Sequence, residues 1–236
     1  MMSGKSWGYV VQFFCLLVFL GMSPFLIKMD GRKTMSVSSD SVRSQNVSDE
    51  VKPVAALTFD DGPNASSTPI LLDGLKERKV RATFFLIGEN VEKDENEKIV
   101  KRMYEEGHLI GNHTYTHCNL SKLETGEAKK ELETDTVIEK ITGKQPVFAR
   151  APYGELPVDS EQDLSRIYIG WTVDPLDWMT EDAGAVVKTV VEEINPGDVI
   201  LLHDCYPSSV QAAIRIVDLL QGKGYEFVTV DHLIMD

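Results

Sequence analysis

The sequence predicts an α/β domain in which a parallel sheet is covered by helices. Short apolar runs typical of buried strands alternate along the chain with stretches of helical length, and polar side chains follow several of the apolar runs. The 236 residues, 42% hydrophobic and 26% charged, are enough for one globular domain with a core. This pattern is compatible with both a closed barrel and an open doubly wound sheet.

The elements follow from local composition. Seven apolar segments of strand length are predicted to be strands, and they are residues 54–59, 82–88, 108–114, 147–150, 167–173, 198–203 and 225–230. Five amphipathic segments are predicted to be helices, and they are residues 68–79, 95–107, 125–143, 183–195 and 209–224. Thr68 is a candidate N-cap of the first helix, with Pro69 in its first turn, and Gly143 ends the third helix.

An uncharged apolar segment, Trp7 to Ile27, precedes the domain and is long enough to span a bilayer. Residues 1–33 are therefore predicted to be an uncleaved membrane anchor or a cleaved secretory signal, and the lack of a convincing A-x-A site favours the anchor. Either interpretation predicts export. The remainder would be an extracellular domain anchored to the cell membrane or, after cleavage, a secreted one.

Residues 34–50 are polar and Ser-rich without an apolar period, which predicts a tether, and the folded domain is predicted to span residues 51–236. The net charge of −13 argues against nucleic acid as a partner, because nucleic-acid binding depends on clustered Lys and Arg. Two domain cysteines, Cys118 and Cys205, do not make a disulfide framework. They are predicted to be ordinary thiols, with a single bridge near the site as the alternative.

Candidate functional residues lie at the carboxyl ends of predicted strands, the edge at which α/β folds build their sites. In chain order they are Asp60 and Asp61, His113 and His117, Arg150, Asp174, Asp177 and Trp178, and His203 and Asp204. Five separate loops that carry such residues to one edge predict a common site.

The spacing of His113 and His117 puts two imidazoles on one face of a helical turn, where they can bind one metal ion. With one carboxylate from Asp60 or Asp61 they form a His, His, Asp set that suits Zn²⁺ or a similar divalent ion. A metal also explains two adjacent aspartates. One binds the cation, whose charge allows the other to stay ionised as a base.

Five motifs in order, TFDDGP, HTYTH, RAPYG, WTVDPLDW and LLHD, resemble those of the polysaccharide deacetylases with the NodB homology domain, carbohydrate esterase family 4. The resemblance covers about residue 54 to the C-terminus. It implies a distorted (β/α) barrel, often with seven strands, and a metal-dependent hydrolase that removes N-acetyl groups from polymers of N-acetylglucosamine.

The resemblance also implies roles for individual residues. Metal ligands would be Asp61, His113 and His117. Catalytic residues would be Asp60 as base, Arg150 that holds it, His203 as general acid, Asp177 that orients His203, and Tyr153, whose backbone N–H helps to form an oxyanion hole. Substrate would be contacted by Trp171, Trp178 and Leu201. Asp174 is the second choice for the partner of His203, and Ala151 departs from the proline more usual after the arginine.

These residues fit amide hydrolysis chemically, since a bound ion activates water and polarises the carbonyl while an acid and a base move protons. One divalent ion is expected, Zn²⁺ first, with Co²⁺ or Ni²⁺ as alternatives. Peptidoglycan is the expected substrate, with chitin or chitooligosaccharides second. A metal-dependent phosphoesterase and an inactive wall-binding module are the rival functions, although the domain shows no glycine-rich phosphate loop.

Overall fold

The computed structural model describes residues 52–93, 95–156 and 166–235. Its strands are β1 (Val54–Asp60), β2 (Thr83–Leu86), β3 (Leu109–Asn112), β4 (Phe148–Ala149), β5 (Ile167–Tyr168), β6 (Val199–His203) and β7 (Glu226–Val228). Its α-helices are α1 (Thr68–Glu77), α2 (Gly88–Val91), α3 (Asn96–Glu105), α4 (Thr125–Glu131), α5 (Thr134–Thr142), α6 (Ala183–Glu193), α7 (Pro207–Gly222) and α8 (Val230–Met235). Short 3₁₀ turns lie at Leu120–Lys122, Pro152–Gly154 and Asp177–Met179.

The strands form one parallel sheet in the order β5-β4-β3-β2-β1-β6, and β7 pairs with the start of β1. The long strand β1 is central, and six of its seven residues are buried. Because all strands run the same way, their carboxyl ends meet at one edge. The register between β1 and β6 pairs Asp60 with His203 there.

One chain segment, residues 167–173, contacts both ends of this sheet. Its first part is β5, which pairs with β4, whereas Val173 forms a bridge with Ile200 of β6. The N–H groups of Thr172 and Val173 both donate to the carbonyl of Val199. The sheet is thereby curled into a distorted barrel. The single strand predicted for residues 167–173 is interrupted because its two halves pair with different neighbours.

The main core lies between the sheet and the helices that cover it. Phe59 of β1 and Phe84 of β2 stack with ring centroids 5.2 Å apart, and the buried side of α1 contributes Leu71, Leu72 and Leu75. Each fully buried leucine contributes about 1.5–3 kcal/mol relative to an exposed one. This packing fixes the strands and hence the edge that carries the polar loops.

The N-cap of α1 is Ser67 and not the predicted Thr68, which is the first residue of the helix. The structure corrects two further predicted elements. The helix predicted over residues 125–143 is two helices, α4 and α5, because the carbonyl of Leu132 accepts a hydrogen bond from the side chain of Asn112 at 3.1 Å. The strand predicted over residues 225–230 ends at Val228, and α8 follows. There the N–H of Val230 donates to Thr83 Oγ1 at 3.1 Å.

Within the described ranges, no helix is long and apolar enough to cross a membrane. The predicted anchor or signal, residues 1–33, and the predicted tether, residues 34–50, lie outside the described residues.

Candidate active site

The polar loops at the carboxyl edge of the sheet contain unusual backbone conformations. Six non-glycine residues have positive φ in the described part of the chain. Lys79 lies outside the motif loops. The other five lie within them and are Asp61, Thr114, His117, Tyr153 and Leu176. Such conformations cost of order 1–3 kcal/mol each and cluster at functional sites. Their concentration here marks this edge as the candidate active site.

Asp61, His113 and His117 form a compact ligand set. The Nε2 atoms of His113 and His117 lie 3.4 and 3.3 Å from Asp61 Oδ1, an oxygen that is buried and has no hydrogen-bond partner within the described chain. The Nδ1–H of His113 donates to the carbonyl of Arg150 at 2.7 Å, which leaves Nε2 with a free lone pair. Their ligand atoms all lie within 4.8 Å of one another, close enough to hold one metal ion.

The charge states in this set also suit a cation. Burial raises the pKa of Asp61, but the nearby imidazoles of His113, His117 and His203 outweigh it, so that the pKa lies below its usual value. Burial lowers the pKa of His117, against the opposing effect of the charge of Asp61, and favours the neutral, ligating form. Two imidazoles and one carboxylate with open positions fit a divalent ion such as Zn²⁺.

Asp60 and Arg150 form a buried ion pair next to this set, with Arg150 Nη1 2.8 Å from Asp60 Oδ1. Their residues are only 3% and 1% exposed, so the two charges neutralise each other away from bulk water. Arg150 also donates to Thr58 Oγ1 and to the carbonyls of Ile169 and Gly170. The second oxygen of Asp60, Oδ2, faces the ligand set, 3.7 Å from His113 Nε2.

His203, at the end of β6, is held by two bonds to one carboxylate. Its Nδ1–H donates to Asp177 Oδ1 and its backbone N–H to Asp177 Oδ2, both at 2.8 Å. Burial of the imidazole lowers its pKa, but the hydrogen bond and charge of Asp177, with the charges of Asp60 and Asp61, raise the pKa to about 8 overall. His203 is therefore a proton donor at neutral pH, with Nε2 turned away from Asp177.

Asp174, the second choice for this partner, accepts a hydrogen bond from the N–H of Leu176 instead. It shapes the turn that precedes Asp177. Among the other predicted residues, Trp171 lies beside Arg150, with Cζ 5.7 Å from the ring centroid, and against Gly154. Trp178 is half exposed on the rim, and Leu201 is buried on β6 outside the three apolar clusters of the described residues.

Tyr153 has φ 62° in the turn that follows Arg150, and its ring packs edge-on to that of His117, with centroids 5.0 Å apart. Its side chain is 66% exposed, so the left-handed backbone is held by the turn and not by burial. Ala151, which stands where proline is more usual, is buried against Leu120, Ala128 and Leu132. The alanine side chain therefore packs in a small apolar cluster behind the turn.

Several supporting residues were missed by the sequence analysis. The side chain of Asn90 donates to the carbonyl of Asp61 at 2.7 Å, and that of Asn96 donates to the carbonyl of Pro63 at 3.2 Å. Glu131 accepts from the N–H groups of Tyr115 and Thr116, between the two histidines. The only available signal was their polarity within or at the ends of helices. These bonds hold the loops that carry Asp61 and His117 in place.

Asp204 directly follows His203 and is fully buried. Its Oδ2 accepts from Thr68 Oγ1 at 2.5 Å, and its carbonyl accepts from Ser67 Oγ at 2.5 Å. Burial is the main cause that raises its pKa to about 7. A Cβ atom on Gly62 would lie 2.5 Å from both of its carboxylate oxygens, so the loop of Asp61 packs directly on this side chain. Cys118 and Cys205 are free thiols, which confirms the first interpretation.

The curled parallel sheet and this arrangement of aspartate and histidine define a metal-dependent hydrolase of the barrel type. Comparison with known proteins supports this class. The model of the family "Polysaccharide deacetylase" matches residues 48–169, and this chain belongs to that family. The predicted family and the predicted NodB-type barrel are thus confirmed.

Several individual relatives are named as peptidoglycan deacetylases. The chain is 42% identical over 192 residues to the peptidoglycan-N-acetylglucosamine deacetylase of Bacillus cereus. The alignment covers 77% of this chain and 68% of that protein. It is 38% identical over 194 residues to the peptidoglycan-N-acetylmuramic acid deacetylase PdaC of Bacillus subtilis. This alignment covers 82% of this chain but only 41% of that protein. The solved structure of PdaC matches with a TM-score of 0.74, over 78% of this chain and 90% of that one.

Proposed function

We propose that this chain is an enzyme that hydrolyses N-acetyl groups from N-acetylglucosamine residues of peptidoglycan and releases acetate. One observation carries the proposal. A carboxylate held by a buried arginine, a metal-ligand set and a histidine–aspartate pair all meet at one edge of the barrel. Amide hydrolysis needs a base for water, stabilisation of an oxyanion and an acid for the departing amine, and these three groups supply them.

Asp61, His113 and His117 would hold one divalent ion, with Zn²⁺ proposed first and Co²⁺ or Ni²⁺ as alternatives. Such an ion supplies a Lewis acid that polarises an acetyl carbonyl and lowers the pKa of a water molecule. The buried, unpartnered Oδ1 of Asp61 between two imidazole nitrogens supports this assignment, because an uncompensated buried oxygen costs about 1–3 kcal/mol.

Asp60 is the proposed general base. Its Oδ1 is bound by Arg150, so Oδ2 is the oxygen that can accept a proton from water next to the ligand set. The buried guanidinium balances the negative charge of this carboxylate away from bulk water. Arg150 acts as a positioning residue for Asp60, since its other donors are bonded to Thr58 Oγ1 and to backbone carbonyls.

His203 is the proposed general acid, which gives the proton from Nε2 to the amine nitrogen as the C–N bond breaks. Its Nδ1–H stays bonded to Asp177, which fixes the ring and favours its protonated form. The proton taken up by Asp60 and the one given by His203 balance, so that acetate and a free amine result. Asp177 acts through His203 and does not touch the reacting atoms.

The remaining predicted residues would bind substrate. The backbone N–H of Tyr153 is proposed to donate to the oxyanion, a contribution of about 2.7–4 kcal/mol per donor in comparable sites. Trp171 and Trp178 would form walls against the sugar, as aromatic side chains do with large rigid faces. Leu201 would face the acetyl methyl, because it precedes His203 by two residues on the same face of β6.

We further propose that residues 1–33 act as a membrane anchor or export signal, and residues 34–50 as a tether that carries the catalytic domain, residues 51–236. The support is the uncharged apolar segment from Trp7 to Ile27 and the Ser-rich stretch after it. Peptidoglycan lies outside the cell membrane, so the enzyme would meet its substrate there.

The test measures acetate released by purified protein from peptidoglycan and from chitooligosaccharides, and phosphate released from an aryl phosphate, each with and without a chelator. Chelator-sensitive acetate from peptidoglycan is expected, with mass spectrometry locating the free amine on the glucosamine. A free amine on muramic acid would reassign the sugar. Acetate from chitooligosaccharides alone would favour the chitin alternative, phosphate release would favour a phosphoesterase, and no product from any substrate would favour an inactive module.

A further inference from the structure

A cavity adjoins the metal-ligand set beside the loop that carries Asp61. It has a volume of about 390 Å³ and is lined by residues of the Asp61 loop, by the α2–α3 region and by Cys205. That volume falls within the roughly 300–1,000 Å³ typical of small-molecule sites. None of the catalytic roles proposed above uses it, although Asp61 forms part of its wall.

Lys93 is the one basic residue among the described residues that line this cavity. Its Nζ donates to Asn90 Oδ1 at 2.6 Å, and the amide of Asn90 in turn donates to the carbonyl of Asp61. The ammonium is therefore held toward the site by one hydrogen bond, and an ammonium has three N–H donors. Within the described chain it forms no ion pair, because Glu95, which also lines the cavity, pairs with Lys98.

Asn96 provides a second polar group on the wall. The residue is only 5% exposed, and its amide donates to the carbonyls of Pro63 and Asn90. Its Oδ1 is buried and has no partner within the described residues. A buried acceptor without a partner costs about 1–3 kcal/mol, which a ligand hydroxyl or amide N–H would offset.

We propose that this cavity is a subsite for a carboxylate-bearing sugar next to the sugar that is deacetylated. Lys93 would bind the carboxylate and Asn96 Oδ1 would accept from a hydroxyl or amide of the same unit. The inference rests on the proposed function and narrows it to glycan strands without stem peptides. In such strands N-acetylglucosamine alternates with a lactyl-ether sugar whose carboxylate is free, whereas chitin carries no carboxylate.

The charges around the cavity are compatible with a bound carboxylate despite the chain's net charge of −13. Glu95 is compensated by Lys98, and the charge of Asp61 would be compensated by the cation that it holds together with His113 and His117. Lys93 is thus the uncompensated charge of the described lining. Because it is exposed, the attraction is modest and is weakened by salt.

The experiment measures kcat/KM of the metal-loaded protein on two tetrasaccharides of equal length. One is the N-acetylglucosamine and N-acetylmuramic acid repeat with free lactyl carboxylates, and the other is chitotetraose. The ratio of the two values is expected to fall about fivefold in Lys93→Gln, which keeps a donor for Asn90 but removes the charge. Lys93→Arg should keep the ratio, and Lys101→Met, which removes an exposed lysine of α3 outside the cavity, should leave it at the parent value.

The ratio of the parent should also decrease as salt increases, and that of Lys93→Gln should not. An unchanged ratio in Lys93→Gln, or an equal loss on both substrates, would overturn the subsite. Absence of acetate from both tetrasaccharides with the parent protein would instead overturn the proposed function.

Discussion

Asp60 and His203 lie directly opposite each other on neighbouring parallel strands, β1 and β6. The strand register therefore places a buried carboxylate and a partly buried imidazole on the same level of the barrel edge. The first is fixed by Arg150 and the second by Asp177. The positions of the proposed base and acid are in this way set by sheet pairing, while the proposed metal ligands follow β1 and β3.

The buried pair of Asp60 and Arg150 should be sensitive to loss of one partner. Arg150→Met leaves a carboxylate uncompensated in the barrel and is expected to lower the free energy of unfolding by about 3–5 kcal/mol. Activity should be lost as well. Arg78→Met is the matched control, because Arg78 pairs with the exposed Asp218 and such pairs contribute about 1 kcal/mol or less. Denaturant unfolding of both variants measures the difference, and equal losses would contradict the assignment.

The activity should depend on the protonation of His203. Its pKa is raised to about 8, so the donor form is present below that value, and the rate should fall as pH rises through about 8. Asp177→Asn removes the main group that raises the pKa, so the alkaline limb of the kcat profile should move to lower pH. A profile in Asp177→Asn that coincides with that of the parent would argue against this role.

The same pKa affects stability. The folded value of His203 lies above the unfolded value of about 6.5, so its contribution is complete below about pH 6.5 and is lost as pH rises through about 8. The free energy of unfolding, measured from pH 6 to 9, should decrease in this window. The decrease should be absent in Asp177→Asn. A variant that keeps the full decrease would show that another group causes it.

Metal binding should stabilise the fold through three ligands. Zn²⁺ at about 100 times its Kd should raise the free energy of unfolding by about 2.7 kcal/mol, and a chelator should reverse this together with the activity. His117→Ala removes one ligand and should abolish the stabilisation at the same metal concentration. His232→Ala serves as control because that histidine lies in α8, and it should respond to Zn²⁺ as the parent does. An unchanged response in His117→Ala would contradict the ligand set.

The contact between Gly62 and Asp204 predicts a steric effect. In Gly62→Ala the new Cβ would meet both carboxylate oxygens at 2.5 Å, and Asp204 cannot withdraw easily because Thr68 holds it. A loss of about 1–3 kcal/mol in stability is expected, with reduced metal affinity as the Asp61 loop shifts. Gly126→Ala has no described heavy atom within 4 Å of its Cβ and lies in α4, so it should stabilise by up to about 1 kcal/mol. The melting temperature of Gly62→Ala should lie below that of the parent, and that of Gly126→Ala should lie at or above it.

Residue type and position at strand ends were enough to predict the site edge, because parallel strands bring their carboxyl ends together regardless of the details of closure. The sequence could not predict how the barrel closes, since the 167–173 segment divides its pairing between β4 and β6. Nor could it predict the break between α4 and α5. That break depends on Asn112, a side chain 20 residues distant that bonds to one carbonyl.

The supporting contacts of the site were hidden for the same reason. Asn90 and Asn96 look like ordinary polar residues at helix starts, yet their amides bond to the backbone on either side of Gly62. Thr58 looks like a strand residue, but its hydroxyl accepts from Arg150 and donates to the carbonyl of Ile200. Such bonds join residues far apart in the chain, and no local pattern encodes them.

The variant Asp60→Asn tests most directly whether Asp60 acts as the base beside a separate ligand set. The variant keeps Asp61, His113 and His117, so metal analysis should find one bound ion per chain, as in the parent. Acetate release from acetylated glucosamine oligomers should nevertheless fall by about 10²–10⁴-fold, the usual contribution of a general base. A metal-loaded Asp60→Asn protein that releases acetate at the parent rate would contradict the account.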